Sequence, residues 1–263
     1  MTPTKTAENA SHEAIFSFKD LNINQNIKKA LEEGGITSPT PIQEETIPLL
    51  LNSVKIDFHG QAQTGTGKTL AFGIPLLEKI DTSSKKTQAL ILAPTRELAL
   101  QITESLISAA KYLNISIVTI YGGVPIQAQM SKLRSGAQIV VGTPGRVNDH
   151  IRQKTLFLDS IYTLILDEAD EMISMGFKDD IEEVLNAASQ SKRNIWLFSA
   201  TMSKEVRKVA DTYLKHPQQV QINKQEVIPS QIEQFFYVCP EPKKAELICK
   251  LIDAAENFYG ELA

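Results

Sequence analysis

Two stretches of this sequence hold residue types that can do chemistry together. The first, AQTGTGKT, is a Gly-rich turn that comprises Ala62, Gln63, Thr64, Gly65, Thr66, Gly67, Lys68 and Thr69. Gly65 and Gly67 permit the positive φ angles that turn backbone N–H groups inward around phosphate oxygens. Lys68 brings charge to the β- and γ-phosphates of a nucleotide, and the Thr69 hydroxyl can ligate Mg2+. The common form of such a loop has Gly where this chain has Ala62, so the match is to the variant AxTGxGKT. The second stretch is Leu164-Ile165-Leu166, an apolar run that ends in Asp167-Glu168. An aspartate there can hold a magnesium ion, often through water, and the adjacent glutamate can orient or deprotonate an attacking water. Acidic residues at a helix N-terminus are also favoured by the helix dipole alone. Beside a phosphate loop, the pair implies a site that hydrolyses ATP with Mg2+, with Lys68, Asp167 and Glu168 as catalytic candidates and Thr69 and Asp167 as metal ligands.

Both stretches need a frame that brings strand ends together. Apolar runs over Lys55–His59, Ala89–Ala93, Ser116–Tyr121, Gln138–Gly142, Thr163–Asp167, Ile195–Ser199 and Gln219–Ile222 predict seven strands. Leu90-Ile91-Leu92, Ile139-Val140-Val141 and Leu164-Ile165-Leu166 are continuously apolar, the pattern of strands covered on both faces. Helical spacing lies between them, as in Leu98, Ile102, Leu106 and Ala110, and again in Ile181, Val184, Leu185 and Ala188. This alternation predicts an α/β fold, a doubly wound, mostly parallel sheet with helices on both faces. Ligands in such folds sit beyond the carboxyl ends of strands. Further short strings fall at predicted strand ends: Thr95-Arg96, Gly122-Gly123, Thr143-Pro144-Gly145-Arg146 and Ser199-Ala200-Thr201.

Composition bounds the rest. The chain has 263 residues, 42% of them hydrophobic, enough for a large core, and a net charge of −4. That balance gives no global attraction to nucleic acid, so a polyanion would need a local patch. Cys239 and Cys249 match neither a disulfide framework nor a metal cluster, and His12, His59, His150 and His216 are scattered. No apolar run approaches the ~18 residues that span a bilayer. Residues 1–14 lack the apolar core of a signal peptide and are expected to form a disordered tail. The expected location is cytoplasmic, with no membrane partner.

The strings AQTGTGKT, PTRELA, Gly122-Gly123, TPGR, DEAD (Asp167 to Asp170) and SAT, in this order, closely resemble the first RecA-like domain of DEAD-box ATP-dependent RNA helicases. The resemblance runs from about Phe18 to Val238. DEADEM with Met175-Gly176-Phe177, and VVGTPGR, are most similar to bacterial general-purpose and cold-shock members. It implies a RecA-like P-loop NTPase domain over 15–222, with an adenine-reading element in 16–44. Phe18, 25 residues before Gln43, has the spacing of that element, and Thr40 is a further ATP-binding candidate within it. Ile36 stands where the family usually has an aromatic on which the base packs, which implies weaker nucleotide binding. Thr40-Pro41-Ile42-Gln43 is also a complete capping box with Pro at the first helical position, so Gln43 has two explanations.

The resemblance assigns Thr95, Arg96, Gly122, Gly123, Thr143, Pro144, Gly145 and Arg146 to the sugar–phosphate backbone of single-stranded or duplex RNA, contacts that position without reading bases. Thr95 and Thr143 also suit plain helix caps. It further implies that the hydroxyls of Ser199 and Thr201 link to Asp170 and couple nucleotide to RNA. Residues 223–263 form a polar linker to Pro229, a strand pattern over Ile232–Val238 and a helix pattern over Lys243–Ala255. They are expected to open a second RecA-like domain, a partner that would supply arginines missing here. The function expected is therefore the ATP- and RNA-binding half of a helicase. A nucleotide-gated RNA-binding module without turnover is the alternative, disfavoured by the retention of Glu168.

Overall fold

The structure, a computed structural model, describes residues 17–53, 55–188, 193–222 and 238–260. The expected tail at 1–14, the linker to Pro229 and all but the last residue of the Ile232–Val238 strand pattern lie outside the described residues. The chain divides into Met1–Asn223 and Lys224–Ala263. In the first unit the elements run α1 (Gln25–Glu33), α2 (Pro41–Asn52), β1 (Phe58–Gln61), α3 (Lys68–Lys79), β2 (Ala89–Leu92), α4 (Arg96–Ala109) and β3 (Ile117–Ile120). They continue as α5 (Ile126–Arg134), β4 (Ile139–Gly142), α6 (Pro144–Arg152), β5 (Thr163–Leu166), α7 (Ala169–Ser174), α8 (Lys178–Ala187), β6 (Asn194–Ser199), α9 (Lys204–Tyr213) and β7 (Gln218–Gln221). The second unit contains α10 (Lys244–Gly260), which follows one 3-10 turn at Glu241–Lys243, starts one residue after the expected Lys243 and runs past Ala255.

All seven described strands join one sheet in the order β3-β4-β2-β5-β6-β1-β7, and every pairing is parallel. Alternation along the strands divides the core. Ile91, Ile139, Val141, Ile165, Trp196 and Phe198 face one side and pack with Ile27, Ile47, Phe72 and Ile102 from α1 to α4. Leu90, Leu92, Val140, Leu164, Leu166 and Leu197 face the other and pack with Val147, Met172, Ile181, Val184 and Val206 from α6 to α9. The two-faced burial expected from the continuous apolar runs is thus realised. Each such fully buried aliphatic side chain contributes about 1.5–3 kcal/mol.

β1 begins later than expected, at Phe58 rather than Lys55. Asp57 explains the shift, because its carboxylate accepts from Ile195 N at 2.7 Å and Lys215 N at 2.6 Å. A side chain that caps neighbouring backbone in this way takes the place of ladder pairing at the strand's entry. The strand order also has a functional consequence. β6 lies between β5 and β1, so the loops after β1, β5 and β6 are neighbours on one half of the carboxyl rim. Those after β3, β4 and β2 share the other half.

Candidate active site

The turn after β1 leads directly into α3 through Gly67, whose φ of 94° suits glycine alone among common residues. A Cβ at Gly67 would stand 2.5 Å from Gln43 Nε2 and 2.8 Å from Thr40 Oγ1. Gln43 Nε2 donates to Gly67 O at 2.9 Å, and its Oε1 accepts from Thr40 N at 3.0 Å. The returning arm of the capping box is therefore formed, and the same amide ties α2 to the phosphate loop. Thr40 Oγ1 is buried without a hydrogen-bond partner. Lys68 is buried, and its Nζ donates to Ala62 O at 3.1 Å across its own loop.

A cleft of about 540 Å3 opens over this turn. Thr64, Gly65, Gly67, Lys68 and Thr69 of the phosphate loop line it together with Asp167, Glu168 and Gln43. Leu98, Gln101, Glu104 and Ser105 of α4 also line it, which the motifs did not announce. Asp167 is 2% exposed, and burial pushes its carboxyl up to about 6. Lys68 opposes that shift by its charge, while Glu168 adds to it. Glu168 has a left-handed φ of 51°, uncommon for a residue with a side chain and worth about 1–3 kcal/mol of strain. In that conformation its N donates to Asp167 Oδ1 at 3.1 Å, and its Oε1 accepts from Thr64 Oγ1 at 3.0 Å. The acidic pair is thus held against the phosphate loop.

This donor set fits a nucleotide with a divalent cation. A buried ammonium, an open glycine turn and a carboxylate kept from water form a place where added positive charge relieves Asp167. Among the described residues no cluster of three or more His, Cys, Asp or Glu side chains could hold a metal alone. Magnesium commonly binds through one or two protein oxygens with phosphate and water, which Thr69 and Asp167 can supply.

Beyond Glu168, Asp170 receives Thr201 N and Thr201 Oγ1 at 2.8 Å each and Ala200 N at 3.4 Å. The expected tie between DEAD and SAT is present through Thr201. Ser199 is different: its hydroxyl lies 3.4 Å from His59 Nε2, and its carbonyl accepts from Ala62 N at 3.1 Å. His59 is buried, and burial, reinforced by Arg207, holds its imidazole below the ordinary histidine range.

On the other half of the rim, Thr95 caps α4 by accepting from Leu98 N at 3.2 Å. The Arg96 guanidinium stacks over the Tyr121 ring, 4.7 Å from its centroid. Gly122 and Gly123 are exposed, with no atom near either Cβ direction. Thr143 precedes α6 with Pro144 in the first turn, and makes no side-chain cap. Gly145 has Asp180 Oδ1 as its nearest neighbour, at 4.0 Å from an added Cβ. Arg146 Nη1 donates to Val124 O at 3.0 Å and to Gln129 Oε1 at 3.1 Å. Gln129 Nε2 in turn donates to Tyr121 O at 3.0 Å, and His150 Nε2 lies 3.2 Å from Gln129 Oε1. The buried Gln129 therefore locks the Gly122-Gly123 loop to the Thr143–Arg146 turn.

Comparison with known proteins agrees with this geometry. The family model for the DEAD/DEAH box helicase matches residues 40–209. The chain belongs to the DEAD/DEAH box helicase family. It is 43% identical over 237 residues to the DEAD-box ATP-dependent RNA helicase CshA of Bacillus cereus, covering 90% of this chain and 45% of that protein. CshA of Bacillus anthracis is likewise 43% identical, with 44% of its length covered. The chain thus spans less than half the length of these curated relatives. Among solved structures, a DEAD box protein from Methanococcus jannaschii is similar with a TM-score of 0.76 and 41% identity, over 90% of this chain and 63% of that one. A hypothetical ATP-dependent RNA helicase from Sulfolobus tokodaii has a TM-score of 0.69 and 37% identity, over 76% and 57% of the two chains.

Within this DEAD-box domain, the residues expected to read adenine divide. Gln43 lines the cleft, whereas Phe18 is buried in the core beside α1 and Ile36 packs on the edge of that core. His59, Gln129 and His150 carried no motif. Their partners lie in other elements, and an isolated His or Gln offers no local pattern that would single it out. No described helix is long and apolar enough to cross a membrane.

Proposed function

We propose that this chain is the ATP- and RNA-binding half of a DEAD-box ATP-dependent RNA helicase. The observation that carries this reading is the single cleft lined by Lys68 and Thr69 of one loop and by Asp167 and Glu168 of another. In this reading the N–H groups of residues 64–69 and the α3 N-terminus bind the β- and γ-phosphates of ATP. Lys68 leaves the Ala62 carbonyl to meet them, Thr69 and Asp167 hold Mg2+, and Glu168 orients the attacking water and accepts its proton. Mg2+, when bound, neutralises charge on the phosphate oxygens. Gln43 reads the adenine edge with the donor and acceptor of its amide.

Thr95, Arg96, Gly122, Gly123, Thr143, Pro144, Gly145 and Arg146 grip RNA through its sugar–phosphate backbone, since their loops lie together on one half of the rim. Thr201, between that half and the phosphate loop, transmits the state of the nucleotide through Asp170, whereas Ser199 meets the phosphate loop directly through its carbonyl on Ala62 N. The matched stretch covers only 45% of a relative named as an ATP-dependent RNA helicase. We assign turnover and local duplex unwinding to the protein with a second RecA-like domain, and a cytoplasmic location to the whole. An arginine supplied from outside the phosphate site is commonly worth about 10³–10⁵ in rate. ATPase assays with and without single-stranded RNA or DNA, on this chain and on one extended through a second domain, test the proposal. Weak turnover by this chain and RNA-stimulated turnover by the longer one are expected. Equal stimulation by DNA, or none by either polymer in the longer chain, would contradict it.

A further inference from the structure

A second cleft, of about 530 Å3, opens at the opposite end of the sheet. Lys85 and Lys86 come from the loop that enters β2, Arg134 from the end of α5, and Lys154, Phe157 and Asp159 from the segment between α6 and β5. Its walls therefore lead into the amino ends of β2, β4 and β5, while the family's motifs follow carboxyl ends. Lys85, Lys86, Arg134 and Lys154 share this cleft with one carboxylate, that of Asp159. Among the described residues none of these five forms a salt bridge, although Lys19, Lys111, Arg152 and Lys178 all do. Arg134 and Lys154 meet the carbonyl ends of α5 and α6, which favour cations. Lys85 and Lys86 sit in a loop that offers no helix end.

That loop is held in place. The buried Gln88 accepts from Asp81 N and donates to Asp81 O, both at 2.8 Å. The buried Gln138 donates to Ser84 O at 2.9 Å and accepts from Ser116 N at 2.7 Å. Gly136, at φ +101°, admits the backbone of Lys85 so closely that a Cβ would stand 3.3 Å from Lys85 O. Clustered positive charge is thus built in rather than free to spread. Beside it Phe157 is 63% exposed, over a floor that includes Met130 and Leu133.

We propose that this cleft binds a second stretch of single-stranded RNA, its phosphates against Lys85, Lys86, Arg134 and Lys154 and a base on the Phe157 ring. Cations that track a backbone beside an exposed aromatic platform suit such a strand whatever its sequence. An acidic peptide would meet the same charges but has less use for a bare aromatic face. β2, β4 and β5, whose amino ends border this cleft, have four residues each, about 13 Å, so RNA leaving the motif rim reaches it within a few nucleotides. The inference rests on the proposed RNA grip at that rim.

Fluorescence anisotropy of this chain at low salt, with labelled oligouridylates of ~8 and ~25 nucleotides, tests it. The longer RNA should bind more tightly than extra length alone provides. Lys85→Glu with Lys154→Glu, and separately Phe157→Ala, should weaken the long RNA about tenfold and leave the short one within about twofold. The milder Lys85→Gln with Lys154→Gln, checked for fold by circular dichroism, should lower the salt slope for the long RNA by about 1.4. Wild-type binding of both RNAs with no loss in the variants would overturn the cleft's role and leave the motif grip intact. A glutamate-rich peptide displaced by the charge reversals, with RNA unaffected, would also overturn it in favour of a protein partner. Failure of the wild type to bind either RNA would remove the motif grip and this site together.

Discussion

Gln43 uses both ends of its amide inside the protein, toward Thr40 N and Gly67 O, so it fastens the capping turn of α2 to the phosphate loop. Its removal leaves the Gly67 carbonyl without that partner, a loss of about 1–3 kcal/mol for a desolvated group. Gln43→Ala should therefore weaken ATP about tenfold and bring the ATP-to-GTP affinity ratio toward one in a binding titration. An unchanged ratio would leave this residue only its structural tie. Asp167 makes a different prediction. Its native carboxyl, raised by burial to about 6 from the ordinary 3.8 of an exposed aspartate, binds protons more tightly than in the unfolded chain. Stability contributed by this residue thus falls as pH rises between those values, by at most about 3 kcal/mol. In chelator-treated buffer, Asp167→Asn should be more stable than wild type at pH 7.5, and that gain should vanish near pH 4. Equal denaturant midpoints at both pH values would contradict the burial account. The motif residues were legible because their chemistry lies in short contiguous strings. The His59–Ser199 contact joins positions 140 residues apart, which no local pattern encodes.

At the level of elements, parallel order sorts the motif loops into two neighbouring groups. The loops after β1, β5 and β6 form the nucleotide half of the rim, and those after β2, β3 and β4 the proposed RNA half. The seven strands were readable to within a few residues; for β2, β4, β5 and β6 burial on both faces leaves little other choice of side chain, while the edge strands β3 and β7 alternate or are largely exposed. Strand order was not, because it depends on which crossovers pass over which face. The entry to β1 was also missed, as a carboxylate that caps two other backbones looks like any loop Asp. Within the RNA half, Gln129 of α5 holds the loop after β3 and the start of α6 at fixed separation. Gln129→Ala should lower single-stranded RNA affinity about tenfold while nucleotide affinity stays within about twofold, read by anisotropy and by a fluorescent nucleotide. Equal losses in both titrations would mark a general packing defect instead.

For the molecule as a whole, a net charge of −4 coexists with cations concentrated at particular loops, so local placement rather than overall balance governs any polyanion contact. The Asp170–Thr201 hydrogen bonds join the loops after the adjacent strands β5 and β6, and the proposed coupling between nucleotide and RNA runs through them. All of this depends on one cleft shared by the loop of Lys68 and the pair Asp167-Glu168. The most direct test is the Mg2+ dependence of ATP affinity, measured by calorimetry on wild type, Lys68→Ala and Asp167→Asn. Wild type should bind more tightly with Mg2+, Lys68→Ala should lose at least about tenfold with or without it, and Asp167→Asn should bind metal-free ATP normally while losing the Mg2+ enhancement. Full enhancement retained in Asp167→Asn, or unaltered affinity in Lys68→Ala, would show that the two loops do not serve one nucleotide.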